Sequence, residues 1–420
     1  MTGVTAREVR VFSLPEFDTR EFKRDELSEE EGNALWQAWG RDVRRVDVEF
    51  PSPRTGGVWR ITNPGHVGVL PVGRDLVLSL EPKVPLRNLF EMLAWAYELE
   101  PFAKTDDLVG VASMSDVFES LARMLARRVR GRVRKGLHRV YVDRRDRPSA
   151  IRGRIDLRRV YRLRTDPRLD CIFGEQTADH EDNQILLFTL GRILRAGLCR
   201  GEIRYEVADA FRELRHSVGN REFDSSALKG RSYSRLNADY RGHHALARFF
   251  LENIGAAHGV GDSPLLPFQV GMAGLFETFV AKWLGARLPE GLTVSDQVGG
   301  HYDPGSRVGY QIDLVLKGRD GLPLMVLDTK YKAHQTPIAQ DVAQVVAYAS
   351  ALGCRRAALI YPWDLARMKP FHVGEVRVEV VPFPLDGDLE EGGRELSLSV
   401  GESGEGSVNA AGVPRGDWPT

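Results

Sequence analysis

The chain is poor in cysteine. It has three in 420 residues, Cys171, Cys199 and Cys354, far apart, odd in number and with no C-x-x-C pair. That pattern excludes a disulfide framework and a zinc site of the usual ligand spacing, and a reducing, intracellular compartment fits it best. No apolar run is long enough to span a bilayer, and the opening "MTGVTAREVRVFSLPEF" lacks the apolar centre of a signal peptide. The expectation is a soluble, cytoplasmic protein with no membrane partner. Excess charge is also missing: Lys plus Arg and Asp plus Glu stand at 58 each, so only the distribution of charge can speak about partners. No GxxxxGK[ST] occurs, and "VGRDLVLS" has no phosphate-loop glycine pattern, which excludes a chain that is itself a P-loop motor. No helix-turn-helix or zinc-finger pattern announces a reader of DNA sequence.

What is present is enough apolar residue, 42%, to fill two or three cores at about 150 residues per domain. Residues 1–105 alternate short β-rich runs ("GVWRITN", "GHVGVLPVG", "DLVLSLEPKV") with helices such as "LRNLFEMLAWAYEL", a mixed α/β pattern. Residues 106–250 read as helical and Arg-rich. Residues 251–386 open on "GMAGLFETFVAKWLGARL", with Leu275, Phe276, Phe279, Val280 and Trp283 at helical spacing. Strands, a helix "IAQDVAQVVAYASALG" and the strand "RAALIYPW" follow, with "VRVEVVPFPL" a candidate edge strand. The fold class expected is α/β, in an α+β multi-domain arrangement. Residues 387–420 are rich in Gly, Ser and Glu with little to bury. They read as a disordered tail whose removal is silent.

The informative stretch is "QIDLVLKGRDGLPLMVLDTKYKA", Gln311 to Ala333, two strands joined by a turn. Residues two apart in a strand share a face. Val326, Asp328 and Lys330 therefore share one face of the second strand, and Gln311, Asp313 and Val315 one face of the first, opposite Tyr310, Ile312 and Leu314. If Lys317 pairs with Leu322, Asp313 and Asp328 are diagonal neighbours; a slightly longer loop sets them directly opposite. Either register brings both carboxylates within reach of one ion, unless a bulge intervenes. Two carboxylates on one face repel unless a cation or proton joins them. Mg²⁺ takes carboxylate oxygens and keeps waters, and a lysine beside it can offset charge developing on a phosphoryl oxygen. Asp at a strand end and Lys on an edge strand are also ordinary solubility devices. Glu277, on the preceding helix, is positioned as a third acid or as a plain surface glutamate. Gln344 and Tyr348, four apart, share a helix face.

With these residues in place, the chain resembles the PD-(D/E)xK nuclease superfamily: Glu277 on the first helix, Asp313 on one strand, "DTK" at Asp328–Lys330 on the next, then Gln344 and Tyr348 as a Q-xxx-Y pair. Ile312, not Pro, precedes Asp313. More narrowly it resembles the McrC family, the endonuclease subunits of McrBC-type modification-dependent restriction systems. "MAGLFETFVAKWL", "YQIDLVL", "VLDTKYK" and "DVAQVVAYA" carry that likeness, with "IRGRIDLRR", "EQTADHEDNQILLFTL", "LNADYRGHHALARFF" and "LSLEPKVPLRNLFEMLAWA" upstream. The resemblance spans roughly residues 65–380. It implies a restriction-endonuclease-like αβββαβ core, a Mg²⁺ site at Asp313, Asp328 and Glu277 with Lys330 catalytic, and Gln344 and Tyr348 as auxiliary, DNA-positioning residues. It also implies partners: double-stranded DNA, and a McrB-like AAA+ GTPase hexamer that docks on the N-terminal half and brings the only GTP in the reaction. A stand-alone repair nuclease of the same superfamily and a nuclease-inactive activator of an AAA+ motor are the competing readings.

Two features admit plainer readings. The basic stretch from Arg123 to Arg164 serves as a DNA-backbone track, as a stalk facing the partner ring, or as a solvated helix face with ordinary ion pairs. His180, His243 and His244 lack a ligand spacing with each other or with cysteine, and read as residues of helix surfaces.

Overall fold

The computed structural model describes residues 10–42, 44–72, 75–99, 112–157, 168–255, 266–302, 308–332, 337–363 and 368–405. The chain forms two compact units. One holds the described residues up to Val117 and from Pro267 onward, the other those from Phe118 to Leu266. Among the described residues, no helix is long and apolar enough to cross a membrane.

The first unit carries a mixed sheet in the order Thr293–His301, Gly309–Lys317, Pro323–Thr329, Arg356–Tyr361, Val376–Pro382, Phe371–Val373. The first three strands run antiparallel to one another. Arg356–Tyr361 lies parallel to Pro323–Thr329, reached through the crossover helix Ala339–Ala351. With the helix Met272–Gly285 in front, the order is α-β-β-β-α-β. The apolar stripe expected on that first helix is the buried one: Leu275, Phe276, Phe279, Val280 and Trp283 are all in the core. "VRVEVVPFPL" does form a strand, but not the edge; Phe371–Val373 pairs on its outer side.

A second, four-stranded sheet runs Arg10–Pro15, Leu76–Glu81, His66–Val72, Phe268–Gly271. Its last strand comes from the beginning of the region expected to be a separate domain. Gly68 makes that pairing possible. Its φ is +138°, and a Cβ there would come within 2.1 Å of the Phe268 carbonyl oxygen, so only glycine lets the two backbones meet. Residues 1–105 and 251–386, read from sequence as two domains, thus share one unit. Trp39 belongs to this N-terminal core, its indole N–H donating to the Pro71 carbonyl at 3.0 Å.

The reading of residues 387–420 as disordered needs correction as far as the described residues extend. Leu389–Gly392 and Arg394–Glu405 are helices, and Leu389, Leu396 and Val400 are buried at 2, 0 and 1% exposure. Asp388 caps the first helix through the Glu390 and Glu391 amides. The backbone at Gly393 presses on the Trp283 ring, where a Cβ would come within 2.1 Å. Ser399 donates to Glu379 at 2.7 Å, and Arg356 bonds both Glu379 and the Ser399 carbonyl. Composition hid this because only three large apolar side chains do the anchoring. Each contributes about 1.5–3 kcal/mol on full burial. Deletion of residues 387–420 is therefore expected to cost roughly 3–5 kcal/mol, read as a lowered urea midpoint; an unchanged midpoint would restore the silent-tail reading.

The second unit packs the helices Glu181–Ala196, Gly201–Arg215 and Tyr240–Asn253 with a small sheet, Val140–Asp146, Cys171–Thr177, Arg154–Ile155. The arginines of the basic helix are largely absorbed within this unit. Arg123 and Arg127 pair with Glu206, Arg130 with Glu213 and Arg132 with Asp239. Most of that helix is thus an ion-paired face. Arg139, Arg145, Arg152 and Arg154 are exposed instead on and around the small sheet. Residues 158–164 of the stretch lie outside the described residues.

Two of the three histidines read as surface residues are buried. His243 and His244 are 6 and 2% exposed; His243 meets the Asp239 carbonyl, and His244 belongs to a polar knot around Asp182. His244 Nε2 meets the Asp182 carbonyl at 3.0 Å and its Nδ1 meets the Tyr233 hydroxyl at 3.0 Å. Burial pushes the His244 imidazole down to about 4, so it stays neutral at pH 7.

Candidate active site

The Asp313 and DTK strands meet in the register Leu314↔Leu327, Val315↔Val326, Leu316↔Met325, with an irregularity before Lys317↔Pro323. Continued by one residue, that register sets Asp313 across from Asp328, the longer-loop alternative. The strands part at this point. The Asp313 carboxylate closes the gap, its Oδ2 accepting from the Thr329 amide and the Thr329 hydroxyl, each at 2.9 Å.

Strict alternation along the Asp313 strand does not hold. Ile312 and Val315, three apart, bury in the same cluster with Val345, Tyr348 and Ala349 of the crossover helix. The break coincides with Gln297 in the neighbouring edge strand, which has a φ of 50°, left-handed backbone that a side chain of this size seldom adopts. Ile312 and Tyr310 thus pack with Val315 and Val326, not on the opposite face assigned to them from the sequence.

Asp328 is 1% exposed. Lys330 Nζ stands 2.5 Å from its Oδ2. Lys330 is the one partner that Oδ2 has among the described residues. Burial, together with the charge of Asp313, lifts the carboxyl to about 6 despite the lysine. Glu277 reaches the same place from the Met272–Gly285 helix. Burial first, then the charge of Asp313, pushes its carboxyl up to about 7. Gln297 holds it by a hydrogen bond from its amide to Oε1, and Gln311 in turn donates to Gln297 Oε1 at 2.5 Å. Three acids from three elements therefore press on one another, with one lysine beside them.

Lys330, 8% exposed, is gripped from its far side. Its Nζ donates to Gln344 Oε1 at 3.1 Å, and Gln344 Nε2 donates to the Tyr348 hydroxyl at 2.8 Å. The structure thus brings all six residues singled out from the sequence into one cluster, with Gln344 meeting the lysine and Tyr348 meeting Gln344. Sequence reasoning missed Gln297, whose only signal is conformational, and Asp341. The latter, 2% exposed, pairs with Lys332 at 2.5 Å and accepts from the Tyr361 hydroxyl at 3.0 Å; an acid in the first turn of a helix was its available signal.

The donor set suits a hard divalent cation: carboxylate oxygens only, one of them buried against the Lys330 ammonium, and carboxyls that burial and like charge hold near neutrality. A second cluster, His138, His180 and Asp182, also has ligand atoms within 4.8 Å of one another. There the carboxylate is already taken, by Arg231 at 2.5 Å, Asn237 at 3.1 Å and His138 at 3.1 Å. A cation would have to displace a guanidinium, so this cluster is a structural knot.

Fold and cluster together define a multi-domain α/β chain with an acid-and-lysine site where two inner strands of an αβββαβ sheet part. Its fold matches a chain of the refined half-complex from the tetradecameric assembly of Thermococcus gammatolerans McrB AAA+ hexamers with bound McrC, at a TM-score of 0.60 and 18% identity over 93% of this chain and 99% of that one. A chain of the Thermococcus gammatolerans McrBC complex is similar at 21% identity and a TM-score of 0.44, over 66% of this chain and 87% of that one. None of the curated proteins compared with it matches. The family model for the McrBC 5-methylcytosine restriction system component matches residues 61–362. The chain belongs to that family and is a subunit of a McrBC-type restriction system.

Proposed function

We propose that the chain is the Mg²⁺-dependent endonuclease subunit of its restriction complex, cutting methylcytosine-containing double-stranded DNA and stimulating a McrB-like AAA+ GTPase hexamer. The observation that carries this reading is the convergence of Asp313, Asp328 and Glu277 beside a buried Lys330. Mg²⁺ held by those carboxylates would activate a water and offset phosphoryl charge. Lys330, tethered by Gln344, would present its ammonium to the oxygen on which charge develops. Tyr348 fixes the orientation of the Gln344 amide, so lysine, amide and phenol act as one support.

Support for the ring partner comes from the second unit. Tyr141, Ile151 and Leu157 are 76, 64 and 68% exposed, among the exposed arginines of the same small sheet. Exposed apolar side chains set among arginines suit a protein interface better than a DNA backbone.

The metal site is tested without cleavage. Glu277 near 7 and Asp328 near 6 must lose protons to bind a cation. Mg²⁺ affinity is therefore expected to rise between pH 6 and pH 8, by about tenfold per unit where one proton is released. Calorimetry in buffers of different ionisation enthalpy reads that proton directly. Ordinary surface carboxylates are fully ionised across this window, so a flat affinity with no proton release would reject the site.

A further inference from the structure

Glu16 follows the Arg10–Pro15 strand and is fully buried, at 0% exposure. The Tyr331 hydroxyl donates to its Oε2 at 2.7 Å. Its Oε1 has no donor in hydrogen-bonding geometry among the described residues. Burial lifts the carboxyl to about 7, although the Tyr331 hydroxyl, the Lys83 amide and the Lys83 ammonium all favour its charged form. The next residue, Phe17, has a φ of 59°, rare for a bulky side chain. Its ring stands 5.8 Å from that of Tyr331, which also packs against Phe276 and Trp363 at 5.8 Å. Phe276 neighbours Glu277, and Tyr331 neighbours Lys330.

A fully buried carboxyl and a left-handed phenylalanine are each unfavourable for folding. Here they are consecutive, and both bear on the residue beside Lys330. A leucine at position 16 would fill the space without the electrostatic cost, but would leave the Tyr331 hydroxyl unheld. The Lys330 amide is fixed by the Ile360 carbonyl at 2.8 Å; the chain beyond it is fixed by Tyr331. We infer that Glu16 is a positioning residue for the nuclease site: through Tyr331 it sets where the Lys330 ammonium stands against Asp328 and Gln344. The N-terminal strand is then part of the cutting apparatus, 315 residues away in sequence.

The inference rests on the nuclease reading, and its test separates the two. Glu16→Leu, Glu16→Gln and Tyr331→Phe are compared with the unmodified chain, each with its ring partner, for kcat and KM on methylated DNA. Hydrogen exchange of the amides of residues 329–331 is followed without DNA. Glu16→Leu and Tyr331→Phe are expected to lower kcat roughly 10- to 100-fold with KM unchanged, since a small misplacement of a catalytic group has that effect, and to speed exchange at those amides. Glu16→Gln keeps an oxygen for the tyrosine hydroxyl and is expected to restore most of the rate. Unmodified kcat and exchange in Glu16→Leu would overturn the inference. So would equal loss in Glu16→Gln, which would mark a role in folding alone. If the unmodified chain does not cut, the nuclease reading fails, and the exchange result alone decides the coupling of Glu16 to the catalytic strand.

Discussion

Asp313→Ala, Asp328→Ala and Lys330→Ala are each expected to lower Mg²⁺-dependent cleavage by on the order of 10³-fold, the scale of losing a group that stabilises transition-state charge. Docking to the ring partner should persist in all three, because none of them lies in the second unit. Asp328→Asn is the sharper variant. The native carboxyl is 1% exposed, its counter-charge comes from Lys330, and burial and the Asp313 charge raise it to about 6. An acid whose folded pKa is raised stabilises the fold less as pH climbs through that value. At pH 7.5 the metal-free protein bears the full burden of a charged, buried Asp328. The amide removes that charge, so the melting temperature of Asp328→Asn should hold or rise while cleavage disappears. Loss of the Lys330 counter-charge works against the gain, which limits its size. Glu277→Ala is expected to lose only part of the activity, since the two aspartates remain. Plasmid cleavage and thermal melts on the same preparations read both effects. Cutting at the unmodified rate by any of the three alanine variants would refute the assignment.

The parts of this site that were legible in the sequence are those set by local periodicity. Asp328 and Lys330 share a face because strand side chains alternate. Gln344 and Tyr348 meet because residues four apart on a helix do. The αβββαβ order followed from apolar runs and from turns such as "GRDG". What the sequence hid depends on partners far along the chain. Gln297 is one glutamine in an edge strand; nothing in "TVSDQVGGH" announces a φ of 50° or a bond to Glu277. His244 sits on an apparent helix surface until the Asp182 carbonyl, 62 positions away, covers it. Glu16 looks like any acid after a strand until Tyr331 is placed on it. The tail misled through composition, because Leu389, Leu396 and Val400 suffice to anchor a Gly- and Ser-rich segment when a surface is waiting for them. Periodicity thus located the acids and the lysine, while their support came from contacts that only the folded chain discloses.

Cleavage by the isolated chain is expected to be at least about 100-fold slower than cleavage with its AAA+ partner, GTP and Mg²⁺, the scale of assembling a catalytic site by a partner-driven change. The chain carries the proposed cutting residues but neither a nucleotide-binding loop nor a recognisable sequence reader. A nuclease with that composition must have its access to DNA governed by another protein, or it would cut every duplex it met. The second unit is the natural contact. Its basic helix spends Arg123, Arg127, Arg130 and Arg132 on internal ion pairs, which leaves little of that helix for phosphate. Its small sheet instead exposes Tyr141, Ile151 and Leu157. Tyr141→Ala combined with Ile151→Asp should abolish the stimulation of GTP hydrolysis and the partner-dependent cutting, yet leave Mg²⁺ binding intact. A helix used as a DNA track would respond differently: charge reversal at Arg134 and Lys135 would weaken DNA binding with a reduced salt dependence, and the sheet variants would do nothing. The decisive comparison incubates the purified chain with methylated and unmethylated plasmid, with and without the ring protein and GTP. Vigorous cutting by the chain alone, unchanged by either addition, would mean that the nuclease centre is autonomous and that the exposed sheet serves some other contact.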